Sequence, residues 1–350
     1  MADELRTAAR LAFDALTGVV GIVQDMHRAI ARNGLGPVGD LQSAMAAPIY
    51  GMVRVGLAAG SVVAETALRN SAQVLPDKVT GVLNGAIGDR LASHYPALAT
   101  PLRLHVSEER PPTGHLVVFV HGLVHTEQHW WQDGPDYGQR LADDVGATPL
   151  YVRYNSGQRV TTNGARLAVL LDEVVAGWPV PVRDLSLVGY SMGGLVARRA
   201  VHEAIEARLR WLDVLRNVIC LGSPHLGSPV ERGAAVAALV LNGFSASAPL
   251  ARLVAGRSAG IKDMARGVPC TAAPQARQRF LAATVAADPT SVGGRILGDL
   301  LVSTASATDR SQAADRDVVG GLTHPALLHH PEVYARLVTW LSSSADTASG

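Results

Sequence analysis

The sequence predicts an α/β protein: a mostly parallel sheet with helices on both faces, preceded by a helical extension. Three observations predict it. From about Pro101, short apolar runs alternate with segments of helical spacing. Before about His94 the chain is Ala/Gly-rich and helical in pattern, without strand signals. Between Glu231 and about Gly267 the alternation is broken by helical Ala/Leu-rich sequence, the mark of an insertion above the sheet. The organisation expected is a helical extension over 1–100 and a main domain over 101–345, with a helical cap at about 231–267; the chain's 350 residues are enough for one large domain and an appendage.

In the extension, Leu5, Ala9, Ala12, Leu16, Val19, Val23, Met26 and Ile30 alternate spacings of four and three, which puts them on one stripe of a helix. Packing against the main domain or the next helix is the preferred reading, since tertiary contact stabilises most such helices. Self-association and lying peripherally on a lipid surface are the others. The opposite side mixes Glu4, Arg6, Arg10, Asp14, Asp25 and Arg28 and is not a basic face, which weakens the lipid version. Further helices are expected over about Leu41–Leu68 and in "GVLNGAIGDRLASH". No run reaches the roughly 20 apolar residues of a membrane span. The acidic start "MADEL" argues against a secretory signal, so the expected location is cytoplasmic.

In the main domain the strands expected are "LRLHV", "HLVVFVHG", "TPLYVRY", "LSLVGYS", "NVICLGS" and "RFLAATV". Helices are expected in "DYGQRLADDVG", "TNGARLAVLLDEVVAGW", "GGLVARRAVHEAIEARL" and "PEVYARLVTWL". A formal net charge of +1 offers no basic field for a phosphate backbone, so nucleic acid is not expected as a partner. Cys220 and Cys270 are too few for a disulfide framework and show no metal-ligand spacing.

The chemistry is concentrated in "SLVGYSMGGLVARR". Gly189, Ser191 and Gly193 satisfy G-x-S-x-G, with a strand before and a helix after, as a nucleophile presented on a sharp turn requires. Side chains at Gly189 or Gly193 would crowd neighbouring chain, and the helix N-terminus supplies N–H groups for developing negative charge. A serine hydroxyl needs a base to remove its proton, and a group to orient that base. Of 12 histidines, His324, His329 and His330 fall after the last strand-like run and before the last helix. His324 is preferred because it follows the loop "VVGGLT"; the other two are near enough to the helix start to cap or pack.

Together "VFVHGL", "NGARLAVLL", "GYSMGG", "LGSPHLGSP", "SAGIKDM", "LGDLLVSTASA" and "HPALLHHPEVY" resemble the lipase and esterase branch of the α/β-hydrolase superfamily, near bacterial triacylglycerol lipases and GPI inositol-deacylase-like proteins. The resemblance covers about Pro101 to Leu341. It implies the order nucleophile, acid, histidine, with Asp299 in "LGDLLV" as the acid, at a strand end, and His324 as the base. Asp309, Asp315 and Asp317 compete, but "TDRSQAADRD" reads as a solvated loop. One oxyanion donor is expected at the backbone N–H of Met192, directly after the serine, and the resemblance puts the second at Leu123. His121, His225 and Asp263 read as architectural.

Trp130 and Trp131, in "HTEQHWWQDG", are expected to border the site entrance. Exposed, they would suit an apolar acyl or aryl group; buried, they would anchor the loop. The cap reads either as a mobile lid over a lipid-like ester or as a fixed cover. The function expected is hydrolysis of small-molecule or lipid carboxylic esters through an acyl-enzyme, without metal or cofactor. Acyl transfer and thioester cleavage by the same residues remain open. The reading of another class is a non-catalytic scaffold acting through the N-terminal helices; intact Ser191, Asp299 and His324 argue against it.

Overall fold

Among the described residues of the computed structural model, seven strands form one sheet, in the order β1-β3-β2-β4-β5-β6-β7. They are β1 Arg103–Val106, β2 His115–Val120, β3 Thr148–Arg153, β4 Asp184–Tyr190, β5 Leu215–Leu221, β6 Arg277–Thr284 and β7 Asp315–Gly320. The first is antiparallel to β3; every other pairing is parallel. The structure describes residues 77–342, excluding 95, 97–98, 107–109, 132–133, 135, 228–257, 292–293, 295–297 and 310–312.

Side chains alternate across each strand and build two cores. In β2, Leu116, Val118 and Val120 enter one core while Val117 and Phe119 enter the other. The first core is covered by α1 (Asp77–His94), α3 (Val160–Gly177), α4 (Met192–Ala207) and α5 (Ala259–Arg266). The second is covered by α2 (Tyr137–Val145) and α7 (Pro331–Ser342), with α6 (Thr304–Thr308) lying between the last two strands in sequence. The start of α2 is fixed by Asp136, whose Oδ1 accepts from the N–H groups of Gly138 at 2.7 Å and Gln139 at 3.3 Å. Gly146, at φ 66°, ends it.

Two expectations change. The polar run before His324 is not a solvated loop: "DRDVVG" is β7, an edge strand whose outer side tolerates Asp and Arg. Asp317 pairs with Arg336 of α7, and Asp309 is buried 3.8 Å from Arg198. Asp299 does not end a strand; β6 stops at Thr284, and Asp299 stands in a turn closed by its own N–H on Val302 O at 3.3 Å.

The helix expected in "GVLNGAIGDRLASH" is α1, the last part of the extension. Val82, Leu83, Ala86, Ile87 and Leu91 lie in the same core as the sheet. Gly81, Gly85 and Gly88 cost this helix roughly 1 kcal/mol each relative to alanine. Burial of Val82, Leu83, Ile87 and Leu91, at roughly 2 kcal/mol each, outweighs that. The glycines are there because the helix comes close: a Cβ on Gly85 would lie 2.8 Å from Val124 N, and one on Gly88 would lie 1.8 Å from Asn155 Oδ1. The stripe from Leu5 to Ile30, the helix at 41–68 and cap residues 231–257 lie outside the described residues. The described end of the cap is α5, tied to α1 by Ser258 Oγ donating to Gly85 O at 2.8 Å. No helix among the described residues is long and apolar enough to cross a membrane.

Candidate active site

Ser191 stands between the end of β4 and the start of α4, with φ 53° and ψ −123°. A non-glycine residue at positive φ is costly, and here the surroundings enforce it. Its N–H donates to Leu221 O at 2.8 Å. The glycines around it have no room for a side chain: a Cβ on Gly193 would sit 2.1 Å from Val120 O, and one on Gly189 would sit 2.4 Å from Gly194 Cα. Strand and helix therefore meet at van der Waals distance, with the serine at their junction. Its side chain is buried, and Oγ has no hydrogen-bond partner among the described residues.

His324 and Asp299 come together by a separate route. The turn after β6 places Asp299 Oδ1 to accept from Leu301 N–H at 3.0 Å and Val302 N–H at 2.8 Å. That leaves Oδ2 for His324, whose Nδ1 lies 2.6 Å away, and His324 N–H donates to Asp299 O at 3.2 Å. Both side chains are at most 1% exposed. With Asp299 accepting on both oxygens, the ring proton belongs on Nδ1 and the lone pair on Nε2, which has no partner among the described residues.

Serine and histidine share neighbours. The segment that anchors Ser191 at Leu221 continues into Gly222, at φ 59°, where a Cβ would lie 3.0 Å from His324 Cε1. Tyr190, directly before the serine, packs its ring 4.9 Å from the His324 ring, and its hydroxyl donates to His324 O at 3.4 Å. Sequence reasoning assigned neither Tyr190 nor Gly222 a role. The signal available for Gly222 was a glycine directly after a buried strand, where only glycine allows both a left-handed bend and close approach.

Leu123 and Met192 flank Ser191 from two elements. As the first residue of α4, Met192 carries one of the N–H groups a helix cannot pair internally. Leu123 lies in a turn after β2 that closes through His125 N–H on Gly122 O at 3.4 Å. Gly122 brings that turn against the serine, since a Cβ there would stand 3.2 Å from Ser191 Cβ.

The two tryptophans differ in exposure. Trp130 is 1% exposed, with its ring 4.9 Å from Phe119 and edge-on to Tyr190 at 6.4 Å. Trp131 is half-buried over Tyr151 at 4.8 Å and His105 at 5.6 Å. Burial makes Trp130 an anchor of the loop, while Trp131 keeps an exposed part. The sequence could not separate anchoring from substrate contact, because both put aromatic residues at these positions.

Buried histidines ring the site without entering the Asp299–His324 pair. His121 stacks on Tyr154 at 4.3 Å, its Nδ1 2.9 Å from Gly122 O. His225 Nδ1 accepts from Arg198 Nη1 at 2.8 Å, beside Asp309. Asp263 caps α3, accepting from Val160 N–H at 3.0 Å and pairing with Arg159. Burial, helped by His129 and Arg153, pushes His121 down to about 3 from an ordinary 6.5. Burial first, then Arg198, holds His225 well below the ordinary value. Burial, then His129, His121 and His324, does the same to His125.

These groups are neutral in the fold and titrate near 6.5 when unfolded. Their contribution to stability is full above pH 6.5, and it falls as pH drops towards the depressed native values because the unfolded chain takes up protons that the folded one refuses. For His121 the loss should reach about 2 kcal/mol by pH 5. Urea midpoints at pH 7 and pH 5 check this; equal midpoints would contradict it. Among the described residues no group of three or more His, Cys, Asp or Glu is placed to hold a metal ion.

Residues 111–264 match the family described as "Putative serine esterase (DUF676)". No curated protein matches the chain. Among solved structures, the chain is similar to the Bacillus licheniformis lipase BlEst2. The propeptide form is 20% identical, with 68% of this chain and 53% of that one covered and a TM-score of 0.49. This chain thus spans about half the length of that form. The mature form is 21% identical, with 69% and 98% covered and a TM-score of 0.48. A Pyrobaculum calidifontis esterase is 16% identical, with 77% and 92% covered and a TM-score of 0.45.

Proposed function

We propose that this chain is a serine esterase of the α/β-hydrolase superfamily, cleaving small-molecule carboxylic esters in two steps through an acyl-enzyme on Ser191. The observation that carries the residue assignment is the buried Asp299–His324 pair, with the His324 ring beside the segment that anchors a strained Ser191.

In the first step Ser191 Oγ attacks the ester carbonyl while His324 Nε2 takes the hydroxyl proton. Asp299 keeps the ring in the Nδ1–H tautomer and stabilises the imidazolium. The carbonyl oxygen becomes an oxyanion facing the N–H groups of Leu123 and Met192. The intermediate collapses as the C–O bond to the alcohol breaks, and His324 returns the proton to the departing oxygen. A water, deprotonated by the same Nε2, then attacks the acyl carbon. The acid leaves and the proton goes back to Ser191 Oγ.

A fluorophosphonate probe tests this reading, because it needs an activated serine and no knowledge of the ester. Labelling of the folded, full-length chain is expected at Ser191 alone and should disappear in 6 M urea. A folded chain that takes no label at Ser191 would overturn the assignment. A panel of p-nitrophenyl esters graded by acyl length, run with and without an emulsion, then defines the acyl group.

A further inference from the structure

Leu123 owes its position to a backbone conformation that its sequence disfavours. The Gly122–His125 turn has Val124 as its third residue at φ 59°, with Leu123 not in the positive-φ region, the pattern of a type II turn. That position calls for glycine or asparagine, and for a β-branched side chain it is a steric outlier. Something outside the turn must hold it. Val124 N–H donates to Ser156 Oγ at 3.2 Å. In a type II turn the central peptide, between Leu123 and Val124, is the one that is flipped, so the hydroxyl grips the group whose orientation defines the turn.

Ser156 is itself fixed on every side. It is 1% exposed, in the loop that leaves β3. Asn155 Nδ2 donates to Gly88 O at 2.9 Å, Asn163 Nδ2 donates to Asn155 O at 2.9 Å, and Gly260 N–H donates to Gly157 O at 3.0 Å. Behind the turn stands α1, whose Gly85 leaves Val124 just enough room. Downstream, Arg153 binds Glu127 and Asp77, each at 2.6 Å, and so ties the next loop to the same helix. The cradle is built from α1, β3 and α5, none of which carries the serine, the histidine or the acid.

We infer that Ser156 is a positioning residue for ester cleavage: its hydroxyl holds the strained Val124 peptide so that Leu123 N–H is aimed at the oxyanion, with α1 closing the turn from behind. This rests on the function proposed above. Without the hydroxyl, Val124 can relax to negative φ and the donor swings away. The loss falls on the transition state, where the oxyanion exists, and spares ground-state binding.

The test uses the full-length chain, with active sites counted by fluorophosphonate titration so that misfolded protein does not enter the rate. For Ser156→Ala, kcat per labelled site is expected to fall about 10- to 100-fold, with KM changing less than about threefold. Ser156→Thr, which keeps a hydroxyl, should retain most of the rate. Val124→Gly added to Ser156→Ala should recover kcat severalfold, because glycine holds the positive φ without a clamp. A purely structural role would lower the melting temperature and leave kcat per site unchanged. If the alanine variant does not fold, Ser156→Cys, close in volume but a weak acceptor, should show the same split between kcat and KM. Wild-type kcat per site in Ser156→Ala or Ser156→Cys, with Ser191→Ala inactive, would overturn the inference and leave the esterase reading standing. A wild-type chain that cleaves no ester and takes no label would remove both.

Discussion

Alanine at Ser191 is expected to lower kcat by about 10⁴-fold or more for any ester the chain cleaves, while leaving the protein as stable as before or more so. The two effects have one origin. The hydroxyl is buried without a hydrogen-bond partner among the described residues, so its removal loses none of their bonds and deletes a buried polar atom. The backbone at φ 53° and ψ −123° is strained for any residue with a Cβ. Ser191→Gly should therefore gain stability, by roughly 1 kcal/mol or more, and be equally inactive. Ester hydrolysis and urea unfolding of the two variants check this together. A tenth of the wild-type rate in either variant would remove Ser191 from the role of nucleophile. A loss of stability in both would mean that its conformation is not imposed by the elements packed around it.

How much of this was legible in the sequence depends on whether the determining contact is local. The nucleophile turn was legible because strand, glycines, serine and helix are contiguous, and the crowding at Gly189 comes from Gly193 and Gly194; Gly193 itself is pressed by Val120 and His121, a contact distant in sequence. Six of the seven strands were legible as apolar runs; β7 was not, because an edge strand with one open side can carry two aspartates and an arginine. The Asp299–His324 contact joins residues 25 apart through a turn with no periodic signature, and only the family resemblance pointed to Asp299. The role of α1 was hidden for the opposite reason. A glycine-rich helix reads as weak, and nothing in its own sequence says that Val124 and Asn155 occupy the space where side chains would be. Trp130 shows the same limit: composition gives an aromatic residue in a loop, and burial against Phe119 decides what it does.

Asp299→Asn is the substitution expected to separate tautomer control from simple burial, with a fall in kcat of about 10⁴-fold and little change in fold. Leu301 N–H at 3.0 Å and Val302 N–H at 2.8 Å both point at Oδ1, so the asparagine must place its carbonyl oxygen there or lose two backbone bonds. Its NH₂ then faces His324 Nδ1 and donates to it. The ring proton is driven to Nε2, the atom that must accept the proton of Ser191, and the base is present in the wrong tautomer. Alanine would instead release the turn and the ring together, with a loss of stability as well as rate. The competing carboxylates give the control. Asp309 is buried against Arg198, and Asp315 and Asp317 lie on β7 at the sheet edge, so Asp309→Asn should affect stability with kcat per labelled site retained. Less than a tenfold loss in Asp299→Asn would mean that His324 does not depend on this carboxylate for its tautomer.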